Sequence, residues 1–491
     1  MTIIRSKKAR GNMTQHQASK IQTQGNPTLE RRLENRHIQL LSIGGAIGTG
    51  LFMGSGKIIA LSGTSILLVY AILGFFVFLV MRALGELLLS NLGFKSFADI
   101  ATHYLGPQTG FIVSWSYWFA WSIAAVGDMV MMASFVQYWF PTMPTGTICC
   151  GIIATLTIIN MMAVRIFGEV EFWFGLIKIL AICLLIVTGV MMVAMSFTSP
   201  NGTPASFSHL LQDGAVFPHG LSGFLAGFQI AVYSFTGTEM IGTAAAEAKN
   251  PERTLPRAIN AIPWRIVLFY VLSIACIISV VSWKEVPISR SPFVELFVFA
   301  GLPAAAGMVN FVVLTAAMSA ANSGLYSCGR MLFGLSAQKR APQWIGKLSK
   351  LGTPVHAVLF TSTCMLIGLA LLWVVPEAIT LFTLLSTITA VITLFTWSVI
   401  MASYLAYRKR DKELHERSNF KMPGGIATAY LTIVFLVFIA CMFTMEDDTR
   451  TGLCIAPLWF GILIVTYRKY YKRVDEMDNP EQEHLEAVSA R

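Results

Sequence analysis

Charge is scarce in this chain. Only 13% of its 491 residues are Asp, Glu, Lys or Arg, about half the share of a water-soluble domain. That shortage excludes a protein solvated on every side. In its place stand 55% apolar residues, a mean hydropathy of +0.64 and apolar runs of about twenty residues, each long enough to cross a bilayer core. Alternation in segments of about ten residues, the mark of a membrane β-barrel, is missing. The eight cysteines are scattered and fall mostly inside apolar runs, so they read as small buried hydrophobes rather than a disulfide framework or metal ligands. Neither a metal-ligand cluster nor a nucleophile–base motif stands out. A membrane enzyme, a metal and a cofactor are therefore not expected. Residues 1–36 have no apolar core ending in small residues, so no removable signal is expected. The net charge of +10 raises the question of nucleic acid. Its distribution points elsewhere, because the basic residues gather in alternate loops.

The pattern predicts an all-α, polytopic membrane protein of about twelve spans. Placing the amino terminus inside puts Lys249, Arg253 and Arg257, then Lys339, Arg340, Lys347 and Lys350, then Arg408, Lys409 and Arg410 on the cytoplasmic face. The segment 196–220, on the other face, has no Lys or Arg. This bias predicts that both termini are cytoplasmic.

The first apolar segment contains Ser42-Ile43-Gly44-Gly45-Ala46-Ile47-Gly48-Thr49-Gly50-Leu51-Phe52. Lipid offers no partner to an opened backbone, so a broken membrane helix must face protein or a water-filled cavity. Glycines make the break cheap, at about 1 kcal/mol each relative to alanine. A helix packing contact through Gly44 and Gly48 is the other reading. Residues Tyr233-Ser234-Phe235-Thr236-Gly237-Thr238-Glu239 echo the interruption five spans later. Two such breaks predict a five-plus-five inverted repeat over 37–195 and 222–407. A basic tail (1–36), two extra spans (426–467) and a second tail (468–491) would lie outside it. Freed N–H groups suit a carboxylate and freed carbonyls an ammonium, the two ends of an α-amino acid. The dinucleotide and phosphate-loop readings of the glycine run fail, because Met53 and Leu51 stand where each needs glycine.

Ionisable residues within spans are costly and become candidates by default. Glu239 follows the second break, where its carboxyl can exchange protons or accept freed N–H groups. Lys178, read as about two turns into span five, can stand in for a cation bridging to span one, or snorkel to the surface. Asp128 in span three reads equally as a polar partner or a packing contact. Arg82 and Glu86, four apart, read as an ion pair at the inner surface. Trp115, Tyr117, Trp118 and Trp121 read as a packing stripe, and Tyr233 or Phe235 as an occluding lid.

Longer stretches add a resemblance. Asn35-Arg36-His37-Ile38-Gln39 before the glycine run, Met81 to Leu87, Gly168-Glu169-Val170-Glu171-Phe172-Trp173, Ala245 to Glu252 and Ser323 to Ser327 resemble the amino acid–polyamine–organocation permeases, in their bacterial amino acid transporter branch. Ser291 to Val298 and Glu446 to Arg450 are most similar to permeases for D-serine, D-alanine and glycine. The resemblance implies a leucine-transporter-type fold in a bacterial inner membrane. It also implies proton-coupled import of small neutral amino acids (D-serine, D- or L-alanine, glycine) by alternating access. On the same ground, the amides around Thr49 and Gly50 bind the carboxylate, the carbonyls of Ala46, Tyr233 and Thr236 bind the ammonium, and Lys178 serves proton coupling. An exchanger with another substrate range and a non-transporting amino acid sensor are the rival expectations.

Overall fold

The computed structural model describes residues 47–162, 164–198, 202–212, 214–245, 249–288, 290–299, 301, 303–445 and 447–472. The expected contributions of Gly44, Gly45 and Ala46, and of the amino-terminal tail, lie outside the described residues. So does most of the carboxyl-terminal tail.

Helices account for the fold. Among the described residues no β-strand forms, and an isolated bridge joins Thr198 to Pro204. The helices that build the site and its surroundings are α1 (Thr49–Phe52), α2 (Gly54–Ser62), α3 (Ile66–Ser90), α4 (Pro107–Gln137), α5 (Thr145–Met161), α6 (Val164–Ala194), α7 (Gly220–Phe235) and α8 (Met240–Ala244). After them come α9 (Pro251–Val280), α10 (Pro303–Ala337), α11 (Val355–Val374), α12 (Ala378–Arg410), α13 (Gly425–Met442) and α14 (Asp447–Thr466). Nine helical runs among the described residues are long and apolar enough to cross a membrane. One of them, Gly54–Ser90, holds α2 and α3 and turns through a 3₁₀ segment at Gly63–Ser65. The expected spans four and six fall outside the nine because α5 is shorter and because α7 and α8 are separated by a break.

Burial sorts the helices. In α4, 78% of the apolar window is buried, and in α12 72%, whereas α13 and α14 bury only 22% each. The first pair therefore forms the protein interior and the second borders lipid. Helix α4 packs on both α10 and α12, and α7 packs on α2 and α12. Apolar residues dominate even the exposed sides, as a lipid-facing surface requires.

Helix α6 starts at Val164, about four turns before Lys178 rather than the expected two. The polar Arg165, Glu169 and Glu171 made that stretch look like loop, yet they lie within the helix. Lys178 consequently stands about 21 Å of helix rise from Val164, near the middle of α6. Helix α9 contains a π-helical segment, Ile266–Leu272, a form common beside functional sites.

Candidate functional site

The second expected interruption is present, and the described residues show the far side of the first. At the first, Gly48 is extended (φ −137°, ψ −155°) and one short turn follows. Leu51 and Phe52 both donate to the Gly48 carbonyl at 3.1 Å. The N–H groups of Thr49 and Gly50 open that turn, where a helix supplies no acceptor of its own. At the second, α7 stops at Phe235, Thr236 swings out (φ −58°, ψ 134°) and Gly237 takes φ +105°, a region that favours glycine.

The breaks touch. A Cβ on Gly50 would lie 2.7 Å from Cα of Ser234, and one on Gly48 2.8 Å from Cβ of Ala320. Gly48 therefore packs closely beside the break, while Gly44, the other half of the expected packing pair, lies outside the described residues. The Ser234 hydroxyl donates to the Gly50 carbonyl at 2.7 Å, and the Tyr270 hydroxyl, from the π segment, donates to the Ser234 carbonyl at 2.7 Å.

Between the breaks lies a small, partly open cavity. Gly48, Thr49 and Gly50 form one wall, Tyr233 and Thr236 another, and Trp121, Asp128 and Ala320 complete it. Asp128 is the joint. One of its oxygens, Oδ1, accepts from the Thr49 hydroxyl and, at 2.6 Å, from the Tyr233 hydroxyl. A single buried carboxylate from α4 therefore ties residues of both breaks together.

The other expected residues divide. Lys178 is fully buried and donates from Nζ to the Ile47 carbonyl at 3.2 Å. It bridges α6 to the first interruption and does not snorkel. Both Glu239 oxygens accept from the Gly237 N–H, at 3.1 and 3.2 Å, and Oε2 also accepts from the Trp397 indole at 3.2 Å. The carboxyl folds back over the second break and clamps it to α12. The Thr236 hydroxyl lies 3.2 Å from that of Thr393, also on α12. The Tyr233 carbonyl is not freed by the break: it accepts the Thr236 N–H at 3.2 Å, because α7 continues to Phe235. The Thr236 carbonyl leaves the helical course.

Tyr233 also lines a second cavity, together with Lys57, Ile288 and Phe382, on the side away from the basic loops. Its ring meets Phe382 edge-on at 5.6 Å. Of the two lid candidates, Tyr233 separates the cavities, whereas Phe235 stacks on Tyr270 at 4.7 Å as part of the packing.

Arg82 and Glu86 do not pair. Arg82 donates to Asn260 at 2.7 Å and to the Lys421 carbonyl, and lies over the Phe420 ring. Glu86 accepts from Nδ1 of His415 at 2.5 Å and from the Met422 N–H at 2.7 Å. The segment after α12 competes successfully for both side chains. Of the aromatic run, Trp118 reaches Thr361 and Trp115 the Arg340 carbonyl, but Trp121 is a cavity wall. Gly324 makes room for it, since a Cβ there would lie 2.4 Å from the indole. Sequence reading missed that role, as it missed Glu171, which is buried and accepts from Ser319 and Asn322. Among the described residues no three His, Cys, Asp or Glu side chains gather as a metal site.

Broken helices meeting at a buried polar cavity are the architecture of a solute carrier, and sequence comparison decides which kind. The amino acid permease family profile matches residues 37–479. The chain belongs to the amino acid permease family. The D-serine/D-alanine/glycine transporter of Escherichia coli K12 is 53% identical over 433 residues, 88% of this permease and 92% of the relative. Amino-acid permease AapA of Bacillus subtilis is 43% identical over 445 residues, 91% and 96% of the two chains. The probable threonine/serine transporter YbxG of the same species is 38% identical over 444 residues, 90% and 95%. The permease is a multi-pass membrane transporter and not an enzyme.

Proposed function

We propose that this permease imports D-serine, D- and L-alanine and glycine with a proton, by alternating access across a bacterial inner membrane. The observation that carries the reading is the small cavity lined by residues of both helix breaks. The amides of Thr49 and Gly50 take the substrate carboxylate. The carbonyl of Thr236, with that of Ala46, takes the ammonium, and Asp128 supplies negative charge beside it. These groups read only what all α-amino acids share. Trp121 and Tyr233 leave little space for a side chain, so small substrates fit and either hand is accepted.

Lys178 carries the coupled proton. It already holds the Ile47 carbonyl, so losing its charge loosens the first break while the site faces inward. Glu239 takes part by holding the second break and exchanging a proton with the cavity. The basic loops face the cytoplasm with both termini, and residues 37–195 and 222–407 form the two inverted repeats that rock around the site. The strong relation to a D-serine/D-alanine/glycine transporter supports the substrate class.

The test is uptake of labelled glycine and D-serine into proteoliposomes, with an acid-outside gradient, without one, and in counterflow. Gradient-driven accumulation, blocked by either alanine or either serine but not by leucine, is expected. Lys178→Ala abolishes that accumulation and keeps counterflow. Counterflow without any response of the wild type to the gradient replaces symport with exchange. Binding without accumulation in any arm replaces transport with sensing.

A further inference from the structure

Glu171 has no place in the substrate cavity, yet it is almost completely buried. It precedes Lys178 by seven residues on α6, which puts both on one helix face about 10 Å apart along the axis. It lies on the side of the basic loops. Its hydrogen bonds come from neutral groups of α10: the Ser319 hydroxyl to Oε1, and the Asn322 amide to Oε2 at 3.4 Å.

The chain of polar groups continues from there. Oδ1 of Asn322 accepts from Nδ2 of Asn160 at 2.7 Å, and Asn160 is the next-to-last residue of α5. Oδ1 of Asn160 and the hydroxyl of Ser323 are buried without a partner. Such atoms are places where water completes a network. About one turn nearer the basic loops, Phe167 of α6 stacks on Tyr326 of α10, with ring centroids 4.1 Å apart. The Arg330 guanidinium covers the same tyrosine ring at 3.4 Å. A polar ladder thus begins below Lys178 and is sealed by an aromatic pair.

We propose that Glu171 relays the coupled proton from Lys178 to the cytoplasm. The proposal rests on the reading of Lys178 as the proton carrier. Water enters the ladder when the Phe167–Tyr326 stack parts. One N–H bond of the Lys178 ammonium breaks as an O–H bond to water forms. That water hands a proton to the Glu171 carboxylate, leaving a neutral amine and a neutral carboxylic acid. The acid then releases its proton to the cytoplasm and is a carboxylate again. The first transfer removes two buried charges at once, which a low-dielectric interior favours. Other charged groups on the elements packed here are few. Helix α6 itself carries Arg165 and Glu169, and α10 carries Arg330, while α5 and the segment 266–280 carry none.

The test uses the full chain in proteoliposomes at fixed external and varied internal pH. Glu171→Gln keeps the size and hydrogen-bonding capacity of the side chain but cannot relay. Its gradient-driven uptake is expected to fall about 100-fold, the scale of losing a positioned proton acceptor, with counterflow unchanged. Glu171→Asp is expected to retain part of the uptake. Wild-type uptake in Glu171→Gln overturns the relay and leaves the Lys178 reading standing. An equal loss of uptake and counterflow overturns it as well and makes the residue structural. A wild-type protein that ignores the gradient overturns both readings, and that failure shows before any variant is made. Should Glu171→Gln fail to fold, Ser319→Ala removes one donor and spares the carboxyl. Half-maximal uptake then moves to a higher internal pH with counterflow unchanged, and an unmoved profile overturns the relay.

Discussion

Asp128 shows how much one buried side chain can organise. Thr49 lies 79 residues before it and Tyr233 105 residues after it, yet both hydroxyls end on the same oxygen. Asp128→Ala leaves two buried O–H groups unmatched, each costing about 1–3 kcal/mol. Uptake is expected to vanish and the unfolding temperature in detergent to fall. Asp128→Asn keeps an acceptor and should lie between that variant and wild type in both measurements. Tyr233→Phe loses one hydrogen bond, of about 1 kcal/mol net, so KM for glycine is expected to rise roughly fivefold. Lys178 and Glu239 were legible from the sequence because an ionisable group inside a span is costly and rarely idle. The partners of Asp128 were not, since hydrogen bonds over such separations leave no local pattern. Trp121 was hidden for another reason: an indole that lines a cavity and one that fills a core have the same spacing along a helix.

At the level of the helix, the two interruptions could be read directly from composition, because clustered Gly and Thr are poor helix formers. Their mutual contact could not. Gly50→Ala places a methyl group against the backbone of Ser234, which has no flexible end to yield. Gradient-driven uptake and counterflow are both expected to be lost, unlike the selective loss in Lys178→Ala. Gly237→Ala forces a side chain into φ +105° and should destabilise the protein by about 1–2 kcal/mol, read as a lower unfolding temperature. Helix ends were less legible. The polar start of α6 looked like a loop, so Lys178 seemed within reach of the surface. Arg82 and Glu86 had helical spacing for a pair, but spacing describes one helix alone and Phe420, His415 and Met422 come from another segment.

Across the whole molecule, charge asymmetry is the strongest signal, because short basic loops resist crossing a membrane. It predicts sidedness by experiment. With the native exposed cysteines replaced, Leu211→Cys should react with a membrane-impermeant maleimide added to intact cells, and Lys409→Cys only after the cells are opened. The reverse pattern would invert the topology and, with it, the direction assigned to the proton ladder. The broad class was legible because bilayer thickness dictates the length of every apolar run. What the runs do not encode is which helices share a wall.

The turn within the run Gly54–Ser90 has a mechanical consequence. A Cβ on Gly63 would sit 2.1 Å from the Ala215 carbonyl, and Thr64 donates its N–H to that same carbonyl at 2.7 Å. The corner between α2 and α3 is therefore pinned, and the pair behaves as a crank. A tilt of α2 is expected to pass down α3 to Glu86, which holds His415. A fluorophore beside His415 is then expected to change its signal when glycine is added, and an unchanged signal would show that the corner yields.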